Sequence, residues 1–259
     1  MPMIFDAHLH IIDPRFSLVK NNGYLPAPFT VSDYLHSVKP YNIQGGAIVS
    51  GSFQAFDQHY LVDALKLLGP CFVGVTQIPR SISDEKIIQL HQAGVRALRF
   101  NLIRGGSAHI DDLEYLAMRV HELVRWHVEL YIDSQSLDQL YQRLIKLPQI
   151  TIDHLGLSKS GFKQVLQLAE HGARVKACGF GRVDFDQTEA IKSLASANEN
   201  ALIFGTDLPS TRAPRPFQAT DIDMIKEHLS PSLAQKALYH NAVDLYKPMS
   251  CPSLQHICL

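Results

Sequence analysis

The run Met3-Ile4-Phe5-Asp6-Ala7-His8-Leu9-His10 is short, mostly apolar, and ends in two histidines. Strands buried on both faces of a parallel sheet require near-continuous apolar runs of this length, and alternation along a strand sends His8 and His10 to the same side. Seven further runs follow, at residues 46–50, 71–76, 95–100, 128–133, 150–154, 174–178 and 201–207. Amphipathic stretches fill the gaps, most clearly at residues 113–124, where Leu113, Leu116, Val120 and Leu123 or Val124 recur at helical spacing and Asp111 or Asp112 stands ready as a cap. Similar stretches begin at Ser83 and cover residues 136–147, 161–170, 186–197 and 217–229. Eight strands interleaved with helices predict a single-domain α/β structure, a (β/α)8 barrel over residues 1–248. A doubly wound open sheet is the alternative, but the first strand is not followed by a Gly-rich phosphate turn.

The 259 residues, 46% of them hydrophobic, suffice for one substantial core. With a net charge of −1 and no basic run, the chain has no electrostatic footprint for nucleic acid or an anionic membrane. No segment approaches the roughly 20 apolar residues of a membrane span, and Met1 to Phe5 is too short for a signal peptide. The expectation is a cytoplasmic protein that acts on a small molecule. Cys71, Cys178, Cys251 and Cys258 are scattered, which suits reduced thiols better than a disulfide framework. Cys251 and Cys258, with His256 between them, lack the short spacing of a structural zinc site. Residues 13–28 hold Pro14, Gly23, Pro26 and Pro28 and read as an ordered loop over the barrel mouth. After Ser230-Pro231 a last helix turns Leu233, Ala237, Leu238 and Val243 to the core, Pro248 stops it, and residues 249–259 are expected to form a mobile tail.

Catalytic side chains of such barrels sit at the carboxyl ends of the strands. Strand one presents His8 and His10, strand six His154 in Thr-Ile-Asp-His-Leu-Gly, and strand eight Asp207 in Phe-Gly-Thr-Asp-Leu-Pro. Singly each is ordinary: His154 would serve as a core histidine bonded to a carbonyl, and Asp207 would start a turn. Jointly, three imidazoles and a carboxylate at ends on one side of the barrel point to a site. Arg99 closes strand four, Arg104 follows in its loop, and Arg182 comes after strand seven. Guanidinium forks match carboxylates through paired hydrogen bonds, so several around one mouth favour a substrate with more than one carboxylate. Arg96 is expected on the other side of strand four, in a structural role.

From Asp-Ala-His-Leu-His through Asp-His-Leu-Gly and Gly-Thr-Asp-Leu-Pro to Leu-Tyr-His-Asn-Ala-Val-Asp-Leu-Tyr at residues 238–246, nearly the whole chain resembles the amidohydrolase superfamily. The resemblance is to the branch of 2-pyrone-4,6-dicarboxylate lactonases and related sugar-acid lactonases, which implies a distorted TIM barrel and a hydrolase that opens a carboxylated lactone. Where metal-dependent members place a metal-binding histidine at the end of strand five, this chain has Tyr131. A phenol with an ordinary pKa of roughly 10 is a poor zinc ligand, and the branch resembled works without metal, so no cofactor is expected. Tyr24 and Ser52 align with substrate-side positions of the lactonase pattern, and Lys176 is a further candidate anion contact. The implied mechanism has Asp207 take a proton from the attacking water. His8, His10, His154 and the Tyr131 hydroxyl polarise the carbonyl, and Arg99, Arg104 and Arg182 hold the carboxylates.

Two alternatives accompany this reading. One is a metal-dependent hydrolase or decarboxylase of the same superfamily, with a single zinc or manganese ion on His8, His10, Asp207 and water or His154. The other is a catalytically silent dicarboxylate-binding barrel, although a retained Asp207 would repel its ligand. Ring specificity stays open, because the neighbourhood of Phe53, Phe56 and Asp57 after strand two departs from the lactonase pattern.

Overall fold

The computed structural model describes residues 1–251. Eight parallel strands pair in chain order: β1 (Ile4–Leu9), β2 (Ile43–Val49), β3 (Phe72–Thr76), β4 (Val95–Asn101), β5 (His127–Tyr131), β6 (Ile150–Ile152), β7 (Arg174–Ala177) and β8 (Leu202–Phe204). The sheet curls until β1 meets the segment after β8, where Asp207 N donates to the His8 carbonyl at 2.7 Å and His10 N to the Leu208 carbonyl at 2.8 Å. The connections carry α1 (Val31–Val38), α2 (His59–Leu68), α3 (Asp84–Gln92), α4 (Leu113–Val124), α5 (Leu137–Leu144), α6 (Phe162–Glu170) and α7 (Gln187–Ala197), and α8 (Ala219–His228) follows β8. This is the (β/α)8 barrel expected from the pattern of apolar runs.

Two apolar layers result from strand alternation. Leu9, Ile48, Leu98, Leu130 and Ile152 pack outward under the helices, whereas Phe5, Ala7, Val49, Val75 and Ala97 pack inside the barrel. The expected last helix is interrupted: α9 (Pro231–Gln235) passes through a π turn (Lys236–His240) into α10 (Asn241–Tyr246). Tyr239, Ala242 and Tyr246 of this segment join the inner cluster and stop the barrel opposite the strand carboxyl ends. Tyr246 stacks on Phe5 at 5.6 Å and donates its hydroxyl to Glu129 at 2.5 Å.

One irregularity sets the phase of the first strand. Pairing advances from Asp6↔Gly46 to Leu9↔Ile48, three steps on β1 against two on β2, so β1 contains a bulge. Before it, Phe5 and Ala7 face inward and Asp6 faces α1, where its carboxylate accepts from Tyr34 Oη at 3.1 Å and Thr206 Oγ1 at 2.7 Å. After it, His8 and His10 face inward and Leu9 joins the outer layer. Without the extra residue His8 would point at the helices.

Strands five to eight end earlier than their apolar runs predict, so His154 and Asp207 stand on the turns that follow, both in the left-handed region at φ 51° and 59°. The turn Ile110–Asp112 leads into α4, and its cap bond comes from His109 rather than from Asp111 or Asp112. Residues 13–28 form the expected ordered cover of the mouth, held by Val19 N to the Phe53 carbonyl at 2.8 Å and Asn21 Nδ2 to the Arg104 carbonyl at 2.9 Å. Of the tail expected at 249–259, residues 252–259, with His256 and Cys258, lie outside the described residues. Among those described, no helix is long and apolar enough to cross a membrane.

Gly205 is required where β1 and β8 close. A Cβ there would come within 2.7 Å of both the His8 amide nitrogen and the His8 Cβ. Gly205→Ala should lower stability by about 1–3 kcal/mol and displace His8, checked by urea unfolding together with turnover.

Candidate active site

A cavity opens at the carboxyl ends of the strands and is lined by His10, Tyr24, Ser52, Arg99, Arg104, Tyr131, His154, Arg182 and Asp207. All of these are residues expected at the site. Gly51, Phe53, Asn101, Thr211 and Arg212 complete the wall. His8 lies directly beneath, its ring 5.1 Å from that of His10 and 4.9 Å from that of His154, and Tyr131 meets the other side of His154 at 5.1 Å. Lys176 does not reach the cavity. It is fully buried below it, with its ammonium 2.5 Å from Glu129, 3.5 Å from Asp153 and 3.3 Å from His8 Nδ1.

Asp207 is at the centre of the arrangement. Its Oδ2 accepts from Arg182 Nε at 2.8 Å, while its Oδ1 is buried without a hydrogen-bond partner, 3.8 Å from Nε2 of both His8 and His10. Burial alone would raise its pKa, but the Arg182 guanidinium and the neighbouring His154 and His8 rings more than offset this and hold the carboxyl well below the ordinary range. His10 Nδ1 lies 2.7 Å from the Val49 carbonyl, which can only accept, so this nitrogen carries a proton.

Arg99 donates from Nη1 to the Ser50 carbonyl at 2.6 Å and from Nη2 to Asp153 at 2.8 Å, leaving its buried Nε unpartnered. Asp153 is pushed up by burial and pulled further down by Lys176, His8 and Arg99, so it remains ionised. Burial raises the Cys178 thiol, which sits 3.2 Å from His154 Nδ1 and stays protonated.

The sequence pattern of the amidohydrolase family matches residues 5–247. The chain belongs to the amidohydrolase family. Across 94% of its length this amidohydrolase is 27% identical to 2-pyrone-4,6-dicarboxylate hydrolase of Comamonas testosteroni, of which 90% is covered. Its fold is similar to that of a probable 2-pyrone-4,6-dicarboxylic acid hydrolase from Acinetobacter baumannii with citric acid bound, at a TM-score of 0.81 and 20% identity over 94% of this chain and 99% of that one. It is also similar to ATU3138 of Agrobacterium tumefaciens, at a TM-score of 0.84 and 18% identity over 94% and 95% of the two chains.

Amidohydrolases often use a metal ion, and this amidohydrolase brings two donor groups together: His8, His10 and Asp207, and His8, His154 and Cys178, each set within 4.8 Å. The first set fits a single divalent cation in donor type and number. Two of its atoms, His8 Nε2 and Asp207 Oδ1, are buried and unpartnered, and the proton on His10 Nδ1 leaves Nε2 as a ligand atom in the neutral ring.

Sequence reasoning missed four residues here. Asp153 and Glu129 carry a weak signal: each shares strand parity with an inward neighbour, Thr151 and Tyr131 respectively. Cys178 is at the end of an apolar run and reads as core. Arg212, in the loop after β8, shows no signal in the sequence.

Burial lowers His154 to about 4, against an opposing pull from Asp207. Because that value lies below the ordinary 6.5, the ring contributes stability that is complete above pH 6.5 and is lost as pH falls toward 4. An NMR titration should find His154 neutral at about pH 5.5; a protonated ring there would contradict the burial argument.

Proposed function

We propose that this hydrolase opens the ring of a carboxylated lactone, 2-pyrone-4,6-dicarboxylate or a close analogue, by Asp207-activated water and without a metal ion. The observation that carries the reading is the Asp207 carboxylate, one oxygen free and buried, at the floor of a cavity ringed by imidazoles and arginines. The Comamonas testosteroni relative supports the substrate class.

In this mechanism a water oxygen attacks the lactone carbonyl while Asp207 Oδ1 accepts the water proton. The oxyanion that develops meets the Tyr131 hydroxyl and N–H donors from His8 and His154, a type of contact worth about 3 kcal/mol per well-placed donor, while His10, protonated at Nδ1, offers its Nε2 lone pair to the attacking water. The ring C–O bond then breaks and Asp207 returns its proton to the leaving oxygen, so water has added across the ester and the carboxylate is restored. Arg182 makes Asp207 a weak base while it holds Oδ2. A substrate carboxylate that draws the guanidinium away strengthens the base as the substrate docks. Arg99, through its free Nε, and Arg104 offer further donors to the substrate carboxylates, with Tyr24 and Ser52 on the substrate side. Lys176 acts through the residues above it. The free thiols Cys71, Cys178 and Cys251 agree with a reducing, cytoplasmic setting.

The donor set His8, His10 and Asp207 favours a second reading, metal-dependent hydrolysis or decarboxylation. A zinc or manganese ion held by those residues would polarise the carbonyl and lower the pKa of water. Ultraviolet absorbance of 2-pyrone-4,6-dicarboxylate separates the two. Enzyme treated exhaustively with chelator should retain full turnover; loss that zinc or manganese reverses would establish the second reading. Asp207→Asn should reduce kcat by about 10³-fold in a protein that still folds at assay temperature, whereas near-normal turnover would remove Asp207 from the role of base. Dicarboxylate binding without turnover, with or without metal, would leave a silent binding barrel.

A further inference from the structure

The cavity arginines differ in what already neutralises them. Arg99 is paired with Asp153 and Arg182 with Asp207, each at 2.8 Å. Arg104 and Arg212 line the same cavity and have no carboxylate partner among the described residues. Below them, Lys176 is matched by Glu129. Around the cavity there are thus two guanidinium charges more than the carboxylates Asp153, Asp207 and Glu129 balance, both at the mouth.

Arg212 is held in place without being neutralised. Its guanidinium lies 4.1 Å from the centre of the Tyr24 ring and donates to Asn21, from Nη2 to the carbonyl at 2.6 Å and from Nη1 to Oδ1 at 3.2 Å. Asn21 in turn donates to the Arg104 carbonyl at 2.9 Å, so one side chain spaces both arginines. The backbone at Arg212 is left-handed, at φ 58°, a conformation that a non-glycine residue keeps only where its surroundings impose it. The two guanidinium groups repel each other: after burial, Arg104 is the largest influence lowering the Arg212 pKa. An anion between them would relieve that repulsion, and an aromatic platform with neutral anchors leaves the remaining N–H donors free for it.

We infer that Arg212, together with Arg104, is the carboxylate-reading element of this site and selects doubly charged ring substrates over singly charged ones. The inference rests on the proposal that the cavity takes a carboxylated ring, and it adds which residues count the charges. Arg99 and Arg182 answer first to Asp153 and Asp207, and Arg104 and Arg212 supply the two positive charges that a dianion needs.

Calorimetric titration with benzene-1,3-dicarboxylate and with benzoate, rings that contain no ester, tests this independently of turnover. The wild-type protein should bind the dicarboxylate at least about tenfold more tightly than benzoate. Arg212→Gln should abolish most of that preference while leaving benzoate binding within about threefold. Arg212→Lys should restore part of it. Asn21→Ala, which loosens the loop but keeps the guanidinium, should keep the preference. Unchanged selectivity in Arg212→Gln would overturn the inference, as would an equal loss in Asn21→Ala, which would make Arg212 a loop latch only. Failure of the wild-type protein to bind either ring would overturn it too. Retained, Arg212-dependent selectivity in a protein that hydrolyses no lactone would refute the proposed reaction and leave the charge-reading role standing.

Discussion

The ammonium of Lys176 lies fully buried between Glu129 and Asp153, at 2.5 and 3.5 Å, where two carboxylates would otherwise repel each other in a medium of low dielectric. Each carboxylate is tied further. Tyr246 and His127 reach Glu129 from the closed end of the barrel, and Arg99 reaches Asp153 from the cavity. This column of alternating charge connects the carboxyl-terminal plug to the floor of the site. Buried charges tolerate little displacement, because separation of any pair leaves an ion without solvent or partner. His8, packed against Lys176 and Asp153, inherits that rigidity.

The eight apolar runs were enough to read the barrel, because a strand buried on both faces must be apolar whatever its partners are. The site was readable for a similar reason: residues at strand ends converge once the barrel closes, and His8, His10, His154 and Asp207 do so. Three features lay beyond that reasoning. The β1 bulge depends on pairing with β2, so parity counted along residues 3–10 cannot reveal it. The π turn at Lys236–His240 breaks a helical pattern whose apolar positions remain continuous. The left-handed turns at His154 and Asp207 are imposed on residues that rarely choose them, and only the packing around them explains why they persist.

Arginine illustrates a different limit. Arg99, Arg104, Arg182 and Arg212 look alike in a sequence, yet two of them are internal counter-ions and two carry unbalanced charge. Which is which depends on Asp153, Asp207 and Asn21, residues that lie 54, 25 and 191 positions from the arginines they contact. Residue type indicates that an anion is welcome in such a cavity. The distribution of counter-ions determines how many charges it should carry.

The same distribution bears on metal chemistry at His8, His10 and Asp207. The donors are of the right kind, and the cations nearest them, Arg182 on the far oxygen of Asp207 and Lys176 against the His8 ring, are each offset by a carboxylate. The unbalanced guanidinium groups at the mouth make the potential there positive. Such a field favours both an anionic substrate and the negative charge that accumulates on a carbonyl oxygen under attack. Metal-dependent enzymes concentrate that stabilisation in one ion. In the metal-free reading proposed above it would be distributed over imidazoles, a phenol and arginines, which would place the demand for accuracy on the packing that holds those groups still.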